Sequence, residues 1–324
     1  MSTVETTPTI EVKHGSVEIR FFEENKELKI KRHYQVRDRS IHGPHADWHE
    51  VPSVTTVQDQ VLKKEALISW AQRVGAGGVV KLCNMKVLQP VRTQGGAEVL
   101  GLYDPARGGH VVCDEWEAIE LLKQNHLTTN DLKEAGGERG TSVHDAFENF
   151  MHTGELPDPS IYPISEQGYV VALQSFIKES GCQPRASEVL VASVDDGWAG
   201  RYDGDIWLPR KASLWTHRTP AGRGNQQTWF DPGLYTVDVK TGKGAFPEHG
   251  EQLEAYEEGR LQCGMLPSLQ RCVIHCAENG DYLFVPVGSG LPRIKQYKYA
   301  TYRDFQATLF KWKTMQERKT REAA

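Results

Sequence analysis

The sequence predicts an α/β fold of the α+β kind, in which one mixed sheet is flanked by helices. Apolar residues recur at helical spacing in the second half of the chain, at 141–153, 165–180, 250–262 and 301–318. Strand-like runs fill the intervals between these helices, and an Asn-Gly pair at Asn279 indicates a hairpin. The predicted order is helix, two strands, helix, two strands, helix, which is typical of helices packed on a sheet.

The first half of the chain predicts an elaboration in front of this core. Residues 10–37 alternate apolar and polar positions and indicate a hairpin. A helix follows, with Ser53 or Thr55 as its cap. We divide the chain into a disordered N-terminus at 1–9, an N-terminal hairpin and helical region at 10–135, and the core at 136–320.

Composition and charge narrow the classes of protein. Hydrophobic residues make up 39% of the 324 positions and charged residues 25%, as in ordinary globular proteins. No apolar run approaches the roughly 20 residues that span a bilayer, and the first residues show neither the basic nor the apolar region of a secretion signal. We therefore expect a cytoplasmic protein with no membrane partner. The net charge of −5 means that any affinity for nucleic acid must come from local patches or from a metal that offsets carboxylates.

The strand predicted at 234–240 carries two charged residues, Asp238 and Lys240, among apolar ones. Side chains alternate across a strand, so these two share one face while Val237 and Val239 share the other. Charges inside an apolar strand are costly unless they are paired or bind a metal. One interpretation is a structural salt bridge. The other is catalytic, with Asp238 binding a hard cation and Lys240 positioning a water or stabilising charge on a phosphate.

Two further segments offer groups for the same site. Gly200 permits a bend before Asp203, and Asp203 and Asp205 would share a strand face, although a polar turn explains this segment equally well. Glycines at 136, 137 and 140 precede the predicted N-cap Thr141 of a helix that carries His144 and Glu148 at positions i and i+4. The two side chains therefore point the same way, although a histidine near a helix start is usually exposed and inert.

A second helix presents an amide and a phenol on one face. Gln252 and Tyr256 stand at i and i+4 on the helix after the Asp238 strand. Both side chains can hydrogen-bond a phosphate oxygen, and Gln can also read a base edge. A partly buried packing face is the alternative interpretation.

The order of these motifs resembles the RecB-like branch of the PD-(D/E)XK nuclease superfamily. That branch includes the exonucleases associated with CRISPR adaptation and many phage-encoded exonucleases. The N-terminal part also looks like the phage members, with a hairpin followed by Val51-Pro-Ser-Val-Thr-Thr-Val57 and Leu67-Ile-Ser-Trp70. The resemblance touches most of the chain, and the diagnostic motifs lie within 139–256.

The resemblance implies a restriction-endonuclease-like core and a role for each motif residue. It makes His144, Asp203, Asp238 and the backbone carbonyl of Val239 the metal ligands, with Lys240 orienting the attacking water. It also implies DNA contacts from Gln252 and Tyr256, while Lys243 follows the catalytic strand closely enough to contact a phosphate. Glu148 and Asp205 are outer-shell candidates.

The implied function is a metal-dependent DNA exonuclease of recombination, repair or phage DNA metabolism, acting on single strands or duplex ends. Oxygen-rich ligands favour Mg²⁺ or Mn²⁺, and an imidazole ligand tilts the preference toward Mn²⁺. One alternative is a catalytically silent nucleic-acid-binding module that keeps the fold as a scaffold. Another is a nuclease acting on RNA.

Two features depart from the family pattern. Some relatives hold an iron–sulfur cluster, but here Cys263, Cys272 and Cys276 lack the usual C-x2-C spacing, whichever of Cys83 and Cys113 is the early cysteine. We therefore expect reduced thiols and no cluster. A long polar segment also separates the Asp203 and Asp238 strands. We interpret it as a solvated loop, or as a flap over single-stranded DNA; it spans 209–231 and carries Arg210, Lys211, Trp215, His217, Arg218, Arg223 and Trp229.

Overall fold

A computed structural model describes most of the chain, in two compact units. The described residues are 8–24, 32–43, 45–62, 78–79, 82–83, 88–92, 98–104, 109–112, 115–219, 222, 225–241, 247–287 and 300–323. One unit comprises residues 1–61 and 139–324, and the other comprises residues 62–138. The predicted disorder of residues 1–9 falls almost wholly on residues outside the described part of the chain.

A five-stranded mixed sheet forms the centre of the larger unit. Its strand order is β14-β13-β12-β9-β8, in which β12 and β13 run parallel and the other neighbours run antiparallel. The strands are β8 (Gln183–Ser193), β9 (Trp198–Leu208), β12 (Gly233–Lys240), β13 (Gln270–Cys276) and β14 (Tyr282–Pro286). The mixed sheet and its helices confirm the predicted α/β class and the hairpin at Asn279.

Helices cover both faces of this sheet. On one face, α4 (Thr129–Thr153) and α5 (Ile164–Ser180) bury residues such as Phe147 and Phe176 in a core shared with Val237 and Val239. On the other face, α6 (Pro247–Gln262) and α7 (Tyr302–Ala323) form a second core with the N-terminal strands. Because β12 contributes alternate residues to the first core, Asp238 and Lys240 point toward the α6 face.

The N-terminal region is a four-stranded antiparallel sheet, which extends the predicted hairpin. Its strands are β1 (Ile10–His14), β2 (Val17–Phe22), β3 (His33–Asp38) and β4 (His49–Val51), paired in chain order, with the short helix α1 (Arg39–His42) before β4 and α2 (Val54–Val61) after it. Apolar residues of β1 to β4 share the core of α6 and α7. The structure thus groups residues 1–61 with 139–324, whereas the sequence interpretation kept residues 10–135 together.

The smaller unit contains a three-stranded antiparallel sheet and a helix. The sheet joins β5 (Leu88–Arg92), β6 (Glu98–Asp104) and β7 (Gly109–Val112), and α3 (Glu115–Gln124) follows it. Of the helices in the described residues, none has the length and apolarity that crossing a bilayer requires.

The helix that carries His144 begins earlier than the sequence predicted. The Thr128 hydroxyl accepts a hydrogen bond from the backbone N–H of Asp131 (3.2 Å), and the Asp131 carboxylate accepts one from the backbone N–H of Thr128 (2.9 Å). This reciprocal pair is a capping box. It starts α4 at Thr129, so the glycines at 136, 137 and 140 lie inside the helix and Thr141 is not its N-cap.

The predicted loop at 209–231 contains two strands instead. β10 (Ala212–His217) and β11 (Gln226–Phe230) pair antiparallel, and Leu214 and Phe230 are buried in the core beneath α5. The alternation of small or apolar residues with polar ones along β10 explains the strand, and the solvated-loop interpretation is wrong for the described residues of this segment.

Candidate active site

The candidate site lies where β9 and β12 separate. The two strands pair from Gly233 to Val237 on β12, where Val237 lies opposite Gly204, and no pair is formed beyond that point. The backbone of Val239 is therefore available to side chains. Its N–H donates to Oδ2 of Asp203 (2.6 Å), and its carbonyl accepts a hydrogen bond from Nε2 of His144 (2.8 Å).

Asp203 reaches this gap because the alternation of β9 side chains between the two sides of the sheet is interrupted there. A Cβ atom at Gly200 would point at the Tyr256 ring of α6, whereas one at Gly204 would point at Phe147 of α4. Residues four apart on a regular strand point to the same side of the sheet, so the side to which β9 residues point reverses between these two glycines. Asp203 lies within the reversal, and its carboxylate lies toward the β12 backbone.

The residue opposite Asp203 has an unusual backbone conformation. Val189 pairs with Tyr202 and Ser187 with Gly204, which places Glu188 across from Asp203, and Glu188 has a φ of 52°. A left-handed conformation is unfavourable for a non-glycine residue and is found most often at functional sites. The irregularity of β8 at Glu188 accompanies the reversal of β9.

His144 and Asp203 form a contact between α4 and β9. Nε2 of His144 lies 3.4 Å from Oδ2 of Asp203. The Asp203 carboxylate raises the pKa of His144 above its ordinary value. Burial raises the pKa of Asp203, and the nearby Asp238 carboxylate adds to this rise. The pKa values of both His144 and Asp203 are therefore higher than those of the isolated side chains.

Asp238 and Lys240 form an ion pair on the α6 face of β12. The Asp238 side chain is almost fully buried, and the Lys240 ammonium contacts its Oδ2. Burial lowers the pKa of Lys240, but the Asp238 and Asp203 carboxylates outweigh it, so the net pKa is raised and the amine stays charged. Oδ2 of Asp238 is a buried oxygen whose partner is the Lys240 ammonium in this ion pair.

The predicted ligands are thus brought together from α4, β9 and β12. As they stand, no three His, Cys, Asp or Glu side chains of the described residues converge closely enough to hold a metal ion. The donor set itself fits a hard divalent cation, since it offers two carboxylates, the Val239 carbonyl and one imidazole. Binding requires the proton on Nε2 of His144 to leave and the Lys240 ammonium to move off Oδ2 of Asp238.

Asp205 does not join Asp203, contrary to the predicted shared face. Its carboxylate accepts hydrogen bonds from Thr236 (3.0 Å) and from the buried guanidinium of Arg260 on α6 (2.5 Å). The facing reversal at Asp203 explains the separation. Asp205 therefore belongs to a hydrogen-bonded network with Thr236 and Arg260, and its outer-shell role stays a prediction.

Gln252 and Tyr256 lie beside the site but are engaged with each other. Nε2 of Gln252 donates to the Tyr256 hydroxyl (2.8 Å), and both side chains are buried. Burial raises the pKa of Tyr256, and the charges of Asp238 and Asp203 act in the same direction, which shows their proximity. The two side chains support the Asp238 strand, and their contact with DNA stays a prediction.

Glu188 and Arg201 are site residues that sequence reasoning missed. Nε of Arg201 lies 2.5 Å from a carboxylate oxygen of Glu188. Burial raises the pKa of Glu188, Arg201 opposes the rise, and the charges of Asp203 and Glu148 add to it. Glu148 thus lies close enough to act on the charge of Glu188, and its outer-shell role stays a prediction. No sequence signal identifies Glu188, because its left-handed backbone cannot be recognised from residue types.

The other candidates are dispersed. Lys243, Arg223 and Cys113 lie outside the described residues. Among the described cysteines, Cys263 lies in the core with α6 and α7, whereas Cys272 and Cys276 lie in the core on the opposite face. Arg218 stacks on Trp215 at 4.7 Å and pairs with Asp281 at 2.8 Å, so neither is free for a nucleic acid as it stands, whereas Trp229 is 65% exposed.

Comparison of the sequence with protein-family models gives no match, and comparison with curated proteins gives none either.

Proposed function

We propose that the protein is a Mg²⁺- or Mn²⁺-dependent DNA nuclease, most simply an exonuclease of recombination, repair or phage DNA metabolism that acts in the cytoplasm. The observation that carries the proposal is the convergence of His144 and Asp203 on the backbone of Val239. Val239 stands between Asp238 and Lys240, so three motifs that are distant in the sequence meet at one point.

The fold supports the same proposal. A mixed sheet with helices on both faces, and with acidic residues where two central strands separate, agrees with a PD-(D/E)XK core of the RecB-like branch. The site lies at the end of β12, next to the gap left by β9. An irregular position of this kind is where a sheet can offer backbone and side-chain oxygens together.

Each residue has a defined part in phosphodiester hydrolysis. The carboxylates of Asp203 and Asp238, the Val239 carbonyl and the His144 imidazole would hold the cation. When bound, the cation would polarise the phosphoryl oxygen and lower the pKa of a nearby water. Lys240, released from Asp238, would orient that water for in-line attack and offset charge on the phosphate.

The strand backbone keeps this machinery in place. The Val239 N–H fixes one oxygen of Asp203, which leaves the other oxygen to accept a ligand. The hydrogen bond between Gln252 and Tyr256 stiffens the α6 wall next to Asp238. Lys243, which follows the catalytic strand, would contact a phosphate of the bound DNA. Holding ligands on strands and packed helices is the arrangement that catalysis requires.

The experiment measures cleavage of end-labelled DNA, single-stranded and duplex, in Mg²⁺ or Mn²⁺, with an RNA of the same sequence alongside. We expect Asp238→Asn and Lys240→Met to lower the rate by roughly 10²- to 10⁴-fold. Matched controls are Glu120→Gln and Lys123→Met, which alter an exposed Glu–Lys pair at 2.6 Å on α3 and should leave cleavage unchanged. Equal activity of both site variants and the wild type would remove the proposed site, and preferential RNA cleavage would change the substrate.

A silent nucleic-acid-binding module is the second candidate. The observation in its favour is that Lys240 already neutralises Asp238, so the strand is electrostatically balanced without a cation. Calorimetric titration with Mn²⁺ separates the two candidates. A nuclease should bind Mn²⁺ and lose this binding in Asp238→Asn, whereas a silent module should give no heat in either protein.

A further inference from the structure

A cavity of about 440 Å³ lies outside the candidate active site, within the larger unit. Its walls come from β3, from β4 and the start of α2, and from α7. This volume is in the range of sites that hold small ligands or single groups of a larger one. No residue of this cavity has a part in the proposed hydrolysis.

The cavity is joined to the strand that carries Asp203. The carbonyl of Pro52, in the cavity wall, accepts a hydrogen bond from the N–H of Ala199 (3.1 Å), and Ser53 forms a bridge with the same residue. Ala199 precedes Asp203 by four residues, which is about 13 Å along a strand. The cavity is therefore within a few nucleotides of a phosphate held at the site.

One wall of the cavity is aromatic and fixed in orientation. Nε1 of Trp312 donates to Oε1 of Gln60 (3.0 Å), which holds the indole ring on α7. Tyr34 is buried and packs on Phe21 with ring centroids 5.1 Å apart. A held indole offers a flat stacking surface at low entropic cost.

The polar wall of the cavity offers hydrogen-bond donors and acceptors but carries no excess of positive charge. Ser53 and Thr55 contribute hydroxyls, and the charged groups are the Arg32 guanidinium and the carboxylates of Glu50 and Asp59. Two carboxylates beside one guanidinium disfavour a phosphate in the cavity. A group with mixed hydrogen-bonding edges, a flat ring and no charge suits it better.

We infer that this cavity receives one unpaired nucleobase of a DNA strand, stacked on Trp312, while the sugar-phosphate backbone stays outside toward the active site. The inference rests on the proposed function for its choice of DNA. It adds that the substrate is read as a single strand near the cut, because a base within a duplex cannot turn into a cavity without unstacking.

The test is binding of fluorescein-labelled oligonucleotides to the full chain by anisotropy, with EDTA present so that no cleavage occurs. The probes are an oligothymidylate and an abasic oligomer of the same length and phosphate number. Trp312→Ala should weaken binding of the oligothymidylate by roughly 5- to 150-fold, the range for loss of one stacked base. Binding of the abasic oligomer should not change.

Three further variants test whether weaker binding comes from loss of the stacking surface and not from general damage to the protein. Trp312→Phe retains an aromatic plane and should bind nearly as the wild type does. Thr55→Tyr fills the cavity from an exposed position and should reproduce the loss without disturbing the core. Phe310→Ala removes an exposed aromatic ring of α7 that does not line the cavity and should have no effect.

The inference is overturned if the wild type does not bind the oligothymidylate, if Trp312→Ala binds it as tightly as the wild type, or if both probes weaken equally. This outcome is separable from failure of the proposed function. If the protein binds bases through Trp312 but never cuts DNA, the nuclease proposal is refuted and the base-binding inference stands. If the protein cuts DNA and Trp312→Ala binds it as tightly as the wild type, only the base-binding inference is refuted.

Discussion

Replacing Lys240 by methionine should lower the free energy of unfolding, because Asp238 then keeps its buried charge without a partner. The substitution keeps the length of the side chain and removes the ammonium that faces Asp238, a residue only 2% exposed. Breaking a buried ion pair costs about 3–5 kcal/mol because a charge stays behind without its partner. The Lys240 side chain is 22% exposed, so water can reach the pair and we expect the lower end, about 3 kcal/mol.

Urea denaturation near neutral pH, with EDTA present, measures this free energy of unfolding. Asp238→Asn should cost less than Lys240→Met, because the lysine left behind can turn its ammonium toward solvent. The double variant should recover most of the stability that Lys240→Met loses, which isolates the coupling between the two side chains. The reasoning is refuted if Lys240→Met is as stable as the wild type, or if the double variant is no better than Lys240→Met.

Excess Mn²⁺ extends the same experiment to ligand binding. A cation held by Asp238 and Asp203 replaces the lost ammonium, so Mn²⁺ should stabilise Lys240→Met more than the wild type. At about 100 times the dissociation constant the gain is about 2.7 kcal/mol. No gain is expected for Asp238→Asn.

Other expected outcomes follow from neighbouring residues. The raised pKa of His144 means that its attraction to its carboxylate partner is present below about pH 6.5 and is lost as pH rises through the folded-state pKa. With EDTA present, His144→Gln should therefore lower the midpoint of urea unfolding more just below about pH 6.5 than well above it. An equal decrease of the midpoint at both pH values would contradict the ion pair between His144 and Asp203. Glu188 has a φ of 52°, so Glu188→Val should cost about 1 kcal/mol or more and weaken Mn²⁺ affinity, whereas Glu188→Gly should keep the affinity. An equal loss of affinity in both variants would show that the charge matters and not the backbone. A Cβ at Gly200 would lie 2.6 Å from a ring carbon of α6, so Gly200→Ala should lower stability by about 1–3 kcal/mol. Gly137→Ala, which meets no atom within 4 Å inside α4, should raise stability by up to about 1 kcal/mol, and thermal unfolding compares the two.

Alternation and periodicity were sufficient to predict the parts of the site that lie within single elements. Asp238 and Lys240 share a face of β12 because strand geometry leaves no other choice. The helix of α5 and the hairpin at Asn279 follow from equally local patterns. The meeting of His144 with Asp203 required tertiary structure, and only the resemblance anticipated it.

The features that escaped prediction depend on conformations that residue types do not reveal. The capping box of Thr128 and Asp131 outweighed three glycines and moved the start of α4 upstream. The left-handed backbone of Glu188 accompanied a reversal of β9, which separated Asp203 from Asp205. The strands β10 and β11 escaped prediction because few of their residues are buried, three of six in β10 and one of five in β11.

Anomalous diffraction from Mn²⁺-soaked crystals would locate the cation at the proposed site. We expect one strong manganese peak about 2.1 Å from the Val239 carbonyl and from carboxylate oxygens of Asp203 and Asp238, with Nε2 of His144 as a further ligand and Lys240 turned away from Asp238. A map with no peak there, and with the Lys240–Asp238 pair intact at saturating Mn²⁺, would contradict it.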